Sequence, residues 1–224
     1  MRVLTKVSIK NPFLITVLII LASSLTLNIF QFNKNRSLAK GIKVIGVIDG
    51  DTIVLDGKTR LRLRQTDAPE LQYCGGNEAK DLLEKLVNHK KVIIKEEIID
   101  TQGRPMALVY LGNRLINQEM LASGWVRYHS DQTSATETLK SAANLAKSKK
   151  LGIFSPKCYQ TENPENPKCN IKGNTDKNSA MKNYYYPGCP QYEFTIVEKD
   201  LGEDWFCSEK EAQKAGFTKA KNCP

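Results

Sequence analysis

Three short strings gather carboxylates and guanidiniums in one stretch of the chain: Asp49-Gly50-Asp51-Thr52, then Arg62 followed by Asp67-Ala68-Pro69-Glu70, then Asp100-Thr101-Gln102-Gly103-Arg104. Carboxylate oxygens are what a hard divalent cation such as calcium takes as ligands. Arginine forks match the oxygens of a phosphate that gains charge as it is attacked. Together they predict phosphodiester cleavage at a site holding one metal. Each motif also has a plainer reading. Asp-Gly and Asp-x-Pro are ordinary turn chemistry, and Arg60, Arg62 and Arg64 recur at the spacing of a solvated strand face. Periodicity does not say which of the three is special.

Convergence of these groups requires elements whose ends meet. From Ile42 the chain reads as strands: Ile42, Val44, Val47 and Ile48, then Ile53-Val54-Leu55, then Leu61 and Leu63 alternating with the arginines. The Asp-Gly pairs at 49–50 and 56–57 mark the hairpins between them. A helix follows, with Asn77 as its expected cap and Ala79, Leu82, Leu83 and Leu86 on one face. Val92–Ile94 and Ala107–Tyr110 predict two more strands joined by the turn at 100–103. Helices are expected at Leu115–Ser123, stopped by Gly124, and from about Thr136 to Lys149. Five strands with a helix after the third match a Greek-key barrel of the OB type. The expected class is therefore α+β, mainly β, with three helices around a five-stranded barrel. Adjacent strand ends in such a barrel would bring Asp51, Asp67 and Glu70 together. Trp125 and Tyr128 are expected in the core.

The 224 residues include 33 Lys and Arg against 24 Asp and Glu, for a net charge of +9. That balance favours an acidic partner, nucleic acid or an anionic membrane surface. Only two histidines occur, His89 and His129, which excludes a site built on several imidazoles; neither is assigned a role. The apolar run from Phe13 to Phe30 is at the short end of what spans a bilayer. It predicts a membrane helix acting as signal-anchor, or a signal peptide, with Ser37-Leu38-Ala39 a weak cleavage signal. Six cysteines, Cys74, Cys158, Cys169, Cys189, Cys207 and Cys223, suggest disulfides in an exported chain.

At this point the chain from about Ile42 to Ser155 resembles the thermonuclease (staphylococcal nuclease-like) family. The resemblance rests on Val47-Ile48-Asp49-Gly50-Asp51-Thr52, on Arg62 before Asp67-Ala68-Pro69-Glu70, and on Asp100-x-x-Gly103-Arg104. It implies an OB barrel, a Ca²⁺ cofactor, and hydrolysis of DNA and/or RNA. It further implies metal binding by Asp51, Asp67 and the Ala68 carbonyl, phosphate binding by Arg62 and Arg104, and Glu70 as general base. Thr101-Gln102 departs from the Lys-Tyr of the family's best-known member, a change at substrate-positioning contacts.

The tail resembles a small cysteine-bearing module that follows nuclease domains in some exported bacterial proteins, through Tyr186-Pro187-Gly188-Cys189-Pro190 and Trp205-Phe206-Cys207-Ser208-Glu209. Among its three possible connectivities, Cys169–Cys207 with Cys189–Cys223 is the chosen one. Cys74 is expected to pair with Cys158, a free buried thiol being the alternative. A module this small needs such staples, and its aromatics are expected in its core.

The expected organisation is a leader at 1–30, a linker at 31–40, the barrel at 41–157, a linker at 158–168 and the stapled module at 169–224. The expected function is a calcium-dependent nuclease outside the cytoplasm, membrane-anchored or secreted, with no protein partner. The alternative is an inactive nucleic-acid-binding or surface-attached module built on the same barrel.

Overall fold

A computed structural model of the chain describes residues 12–38, 41–177 and 179–224, with side chains for all of these except 14 and 30–38. Helix Pro12–Leu38 (α1) and the segment Ile42–Pro224 fall in separate compact units. In α1 the polar side chains turn back on the backbone: Thr16 Oγ1 donates to the Pro12 carbonyl at 2.8 Å and Asn28 Nδ2 to that of Ser24 at 2.8 Å. Among the described residues no helix is long and apolar enough to cross a membrane. The spanning helix expected over 13–30 is therefore not found. Thr16, Ser23, Ser24, Thr26 and Asn28 divide the run into shorter apolar stretches. Arg2, Lys6, Lys10, Lys40 and Ala39 of the cleavage motif lie outside the described residues.

Strands Ile42–Val47 (β1), Thr52–Leu55 (β2) and Arg60–Leu63 (β3) form an antiparallel meander. Val44, Ile53, Leu55, Leu61 and Leu63 are buried while their neighbours along the strand face outward or sit half-buried, the alternation that a pleated strand imposes. After the short strand Thr66–Asp67 (β4) comes helix Gly76–Val87 (α2). Its expected cap, Asn77, is already inside the first turn. Gly75, at φ 89°, occupies the cap position instead. The chain is held there by a close approach, because a Cβ on Gly76 would lie 2.2 Å from the Glu70 carbonyl oxygen.

Strands Lys91–Ile99 (β5) and Pro105–Leu111 (β6) pair antiparallel, and Arg114–Leu115 (β7) adds an edge. The sheet runs β3-β2-β1-β5-β6-β7, and a parallel pairing of β3 with β6 (Arg62 opposite Met106, Leu63 opposite Ala107) closes five of these strands into a barrel. Closure removes the unpaired edges an open sheet would expose and fits the OB type with its α+β class. Helix Ile116–Ser123 (α3), the bridge strand Arg127–Tyr128 (β8) and helix Thr136–Ser148 (α4) complete the outside. Leu83, Met120, Leu121 and Leu139 pack into one core with the barrel residues. Asn117, fully buried, donates to the Arg64 and Ala107 carbonyls and accepts from Val109 N–H, fixing α3 to the chain just after β3 and to the middle of β6.

Beyond the barrel lie strands Tyr159–Gln160 (β9), Ile171–Thr175 (β10), Lys182–Tyr185 (β11), Val197–Glu198 (β12), Trp205–Phe206 (β13) and Thr218–Lys219 (β14), with helix Glu209–Lys214 (α5). Four of them make a sheet in the order β13-β10-β11-β14, and β9 pairs with β12. Ile171, Tyr184, Phe206, Ala212 and Phe217 form its small core. Disulfides join Cys74 to Cys158, Cys169 to Cys207 and Cys189 to Cys223.

This tail docks on the barrel. Cys74 N–H, on the loop before α2, donates to the Lys199 carbonyl at 3.3 Å. Arg127 of β8 reaches Asp200 Oδ2 at 2.6 Å and Glu198 Oε1 at 2.9 Å. Asp200 is almost wholly buried. Burial pushes its carboxyl up, against the pull of the Arg127 guanidinium.

Candidate active site

The turn between β1 and β2 carries Asp51 into the interior. Asp49 Oδ1 accepts from the Asp51 N–H at 3.1 Å, and Thr52 Oγ1 donates to Asp51 Oδ1 at 2.9 Å. Gly50 lets this turn press against α2, since a Cβ there would lie 2.4 Å from that of Ala79. Asp51 is only 1% exposed. Its other oxygen, Oδ2, accepts from the Ala68 N–H at 2.8 Å. That bond ties the first motif directly to the second. Burial pushes the Asp51 carboxyl up to about 7, although the Arg62 guanidinium and the Ala68 N–H both pull it down.

Asp67, at the end of β4, meets Asp51 through one atom. Arg62 Nη2 stands 2.7 Å from Asp51 Oδ2 and 2.5 Å from Asp67 Oδ1. Two carboxylates thus face a single point of positive charge. Among the described residues no group of three or more His, Cys, Asp or Glu is gathered around a metal position. The pair alone has the donor chemistry that a hard divalent cation requires, with further oxygens left to backbone carbonyl and water. The residues present fit such an ion.

Arg60 and Arg62 of β3 and Arg64 just after it separate by environment rather than sharing a solvated face. Arg60 is exposed, Arg62 is turned to the carboxylates, and Arg64 is buried. Arg64 donates to Asp131 Oδ2 at 2.6 Å and to the carbonyls of Glu96 and Gln132 at 2.8 and 3.0 Å. Its bonds hold the loop before α4 against the barrel. Period-two spacing carries no information on this division, because it depends on which loop covers each position.

Arg104 follows the turn between β5 and β6. Asp100 organises that turn: its Oδ1 accepts from the N–H groups of Gln102 and Arg104, both at 2.8 Å, and its Oδ2 accepts from Arg104 Nε at 2.7 Å. These bonds, led by the Arg104 N–H, hold the Asp100 carboxyl below its usual range. Asp100 therefore aims Arg104 while leaving its guanidinium half exposed.

Arg62, Asp67, Asp100 and Arg104 all line one open cleft of about 670 Å³, which His129 and Asp131 also border. The sequence alone marks no role for His129 and marks Asp100 only as part of a turn. The Asx-turn pattern Asp-x-x-Gly-Arg was the available signal for Asp100; nothing in the local sequence marks His129. Glu70 is exposed on the loop between β4 and α2, where its carbonyl accepts from Tyr73 N–H at 2.9 Å.

Comparison with known proteins gives a consistent picture. Residues 60–156 match the family model described as Staphylococcal nuclease homologue, a stretch that holds Arg62, Asp67, Glu70 and Arg104 and begins after Asp51. The chain is 32% identical over 126 residues to a protein named Thermonuclease from Staphylococcus hyicus, covering 50% of this chain and 75% of that one. It is 34% identical over 119 residues to a protein named Uncharacterized endonuclease from Escherichia coli O157:H7, covering 50% of this chain and 76% of that one. It is 38% identical over 84 residues to one named Probable staphylococcal-like nuclease CAN3 from Oryza sativa subsp. japonica, covering 38% of this chain. The chain spans only 22% of the length of that plant relative.

Proposed function

The chain belongs to the staphylococcal nuclease family, and from that premise we propose that it is a calcium-dependent hydrolase of phosphodiester bonds in DNA and/or RNA, acting outside the cytoplasm. One observation carries the reading: Arg62, which touches both Asp51 and Asp67, lines the same cleft as Arg104. Anionic oxygen donors and two cationic forks thereby border a single space open to a polymeric substrate.

Asp51, Asp67 and the Ala68 carbonyl are the residues to hold Ca²⁺, which when bound supplies Lewis-acid polarisation of a phosphoryl oxygen. Arg62 and Arg104 bind the non-bridging oxygens of the scissile phosphate. Charge on those oxygens grows towards the pentacoordinate state, so guanidiniums fixed in place stabilise that state more than the bound substrate. Asp100 is a positioning residue for Arg104. Glu70 takes the proton from the attacking water as the new P–O bond forms, and the P–O bond to the leaving oxygen breaks on the opposite side, that oxygen taking its proton from solvent. Glu70 is exposed, three residues after Asp67 in the chain, so its carboxylate is open to water.

Three disulfides support an oxidising, extracytoplasmic setting. The exposed apolar side chains of α1, such as Phe13, Ile19 and Leu25, support a leader that is either retained at a membrane or removed.

The catalytic assignment is tested by turnover of single-stranded DNA in folded variants. Glu70→Gln and Arg104→Ala should each lower kcat by about 10²-fold or more. Near wild-type turnover in either one removes that residue from the chemistry.

A further inference from the structure

Asp67 lines the cleft that holds Arg62 and Arg104. Asp67 also borders a second cleft, about 550 Å³, lying between α4 of the barrel and the docked tail and lined by Lys147, Phe154 and Lys177 among others. Lys147 and Phe154 in turn border a third, about 360 Å³, with Lys150 and Tyr159. Shared lining residues thus set the three clefts side by side, from the candidate catalytic residues along the seam between barrel and tail.

The chemistry of that seam is specific. Lys147 and Lys150 are exposed on and just after α4. Phe154 is half-buried, its ring approached by the Arg127 guanidinium at 5.7 Å. Acidic groups are present too, Asp176 in the second cleft and Glu162 in the third. Lys177 is itself engaged with Glu198 at 2.7 Å. Free cationic charge therefore lies on the α4 side, with aromatic surface beside it. A cationic track interleaved with aromatic faces is the recognition chemistry of a single nucleic-acid strand: lysines follow the phosphates, and rings stack on bases without regard to sequence.

We propose that a single-stranded nucleic acid whose scissile phosphate lies at Arg62 and Arg104 continues past Asp67 into this seam, with its phosphates on Lys147 and Lys150 and a base on Phe154. The inference rests on the nuclease reading for its direction, since it is the continuation of that substrate. It gives the docked tail a task, namely to form the second wall of the substrate path. The Arg127 pairs with Asp200 and Glu198 then act as positioning contacts that keep this wall in place.

The test is binding by the full chain in chelator, where cleavage does not intervene, using fluorescent oligothymidylates of 4 and 12 nucleotides. Wild-type protein should bind the longer one more tightly. In Lys147→Glu and in Phe154→Ala most of that length-dependent gain should vanish, an effect of about tenfold in Kd for the 12-mer. Lys147→Glu should also flatten the salt dependence by roughly 0.7 in the log–log slope, the loss of one phosphate contact. Lys210→Glu, the same charge change on exposed α5 and outside the three clefts, should keep the gain. Equal weakening by Lys147→Glu and Lys210→Glu, or no length dependence in the wild type, overturns the proposal. Failure of the nuclease reading looks different: the wild type binds with its length dependence intact and does not cleave when Ca²⁺ is restored.

Discussion

Arg62 Nη2 lies 2.7 Å from Asp51 Oδ2, and Asp51 is 1% exposed. A carboxylate taken out of water and charged needs a cation beside it. In the protein alone that cation is Arg62. Calcium between Asp51 and Asp67 would take over the same duty and leave the guanidinium to a phosphate.

That exchange predicts a thermal signature. Arg62→Ala should be less stable than wild type in chelator, because Asp51 then lacks its nearest positive charge. Calcium should restore more stability to Arg62→Ala than it adds to wild type, through preferential binding to the folded state. Melting curves with Ca²⁺ and with chelator give both shifts. Equal calcium shifts in the two proteins would show that the ion does not bind where Arg62 reaches.

Arg127 predicts a larger effect on stability. Its guanidinium answers Asp200 and Glu198, both buried at the junction of barrel and tail. Arg127→Ala leaves the buried Asp200 carboxylate without its cation and Glu198 with Lys177 alone, and breaking a buried pair in this way costs about 3–5 kcal/mol. Urea unfolding, with the midpoint compared at unchanged slope, measures it. A loss below about 1 kcal/mol, the range of an exposed pair, would place these charges in water.

Glu203 predicts a pH dependence. The carboxylate accepts from the N–H groups of Thr175 and Glu198 and from Asn174 Nδ2, with oxygens 2.7, 2.7 and 3.0 Å from their donors. Burial nonetheless pushes it up to about 7 from an ordinary 4.5, with Glu198 also raising it. The folded state holds this proton to a higher pH than the unfolded chain does. Its contribution to stability is thus complete below about 4.5, declines as pH rises towards 7, and is gone above that. Glu198 and Asp100, shifted downwards, act in the opposite direction, so wild type must be compared with Glu203→Gln. The melting-temperature difference between the two should change in wild type's disfavour from pH 5 to pH 7.5. A constant difference would remove Glu203 as the titrating group.

Much of the barrel is legible in the chain because its signals are local. Leu61 and Leu63 alternate with charged residues and are buried as period-two reading requires, and the Asp-Gly pairs sit at the hairpins. The separation of Arg62 from Arg64 is not legible. It depends on Asp131 and the loop carbonyls arriving from far along the sequence. The cap of α2 is illegible for a similar reason: Asn77 has the right chemistry, but the approach of Gly76 to the Glu70 carbonyl starts the helix earlier. The Arg127–Asp200 contact spans 73 residues and joins two segments whose local patterns say nothing of each other. His129 enters the cleft only because β8 pairs with β4 beside Asp67.

The most direct measurement is hydrolysis of single-stranded DNA by the full-length protein in about millimolar Ca²⁺, the range typical of extracellular calcium sites, repeated in excess chelator and again after calcium is added back. Asp51 and Asp67 joined through Arg62, with Arg62 and Arg104 lining one cleft, predict cleavage with the ion, loss of cleavage in chelator and recovery on re-addition. Undiminished cleavage in chelator, or none with calcium present, would contradict a calcium-dependent site at Asp51 and Asp67.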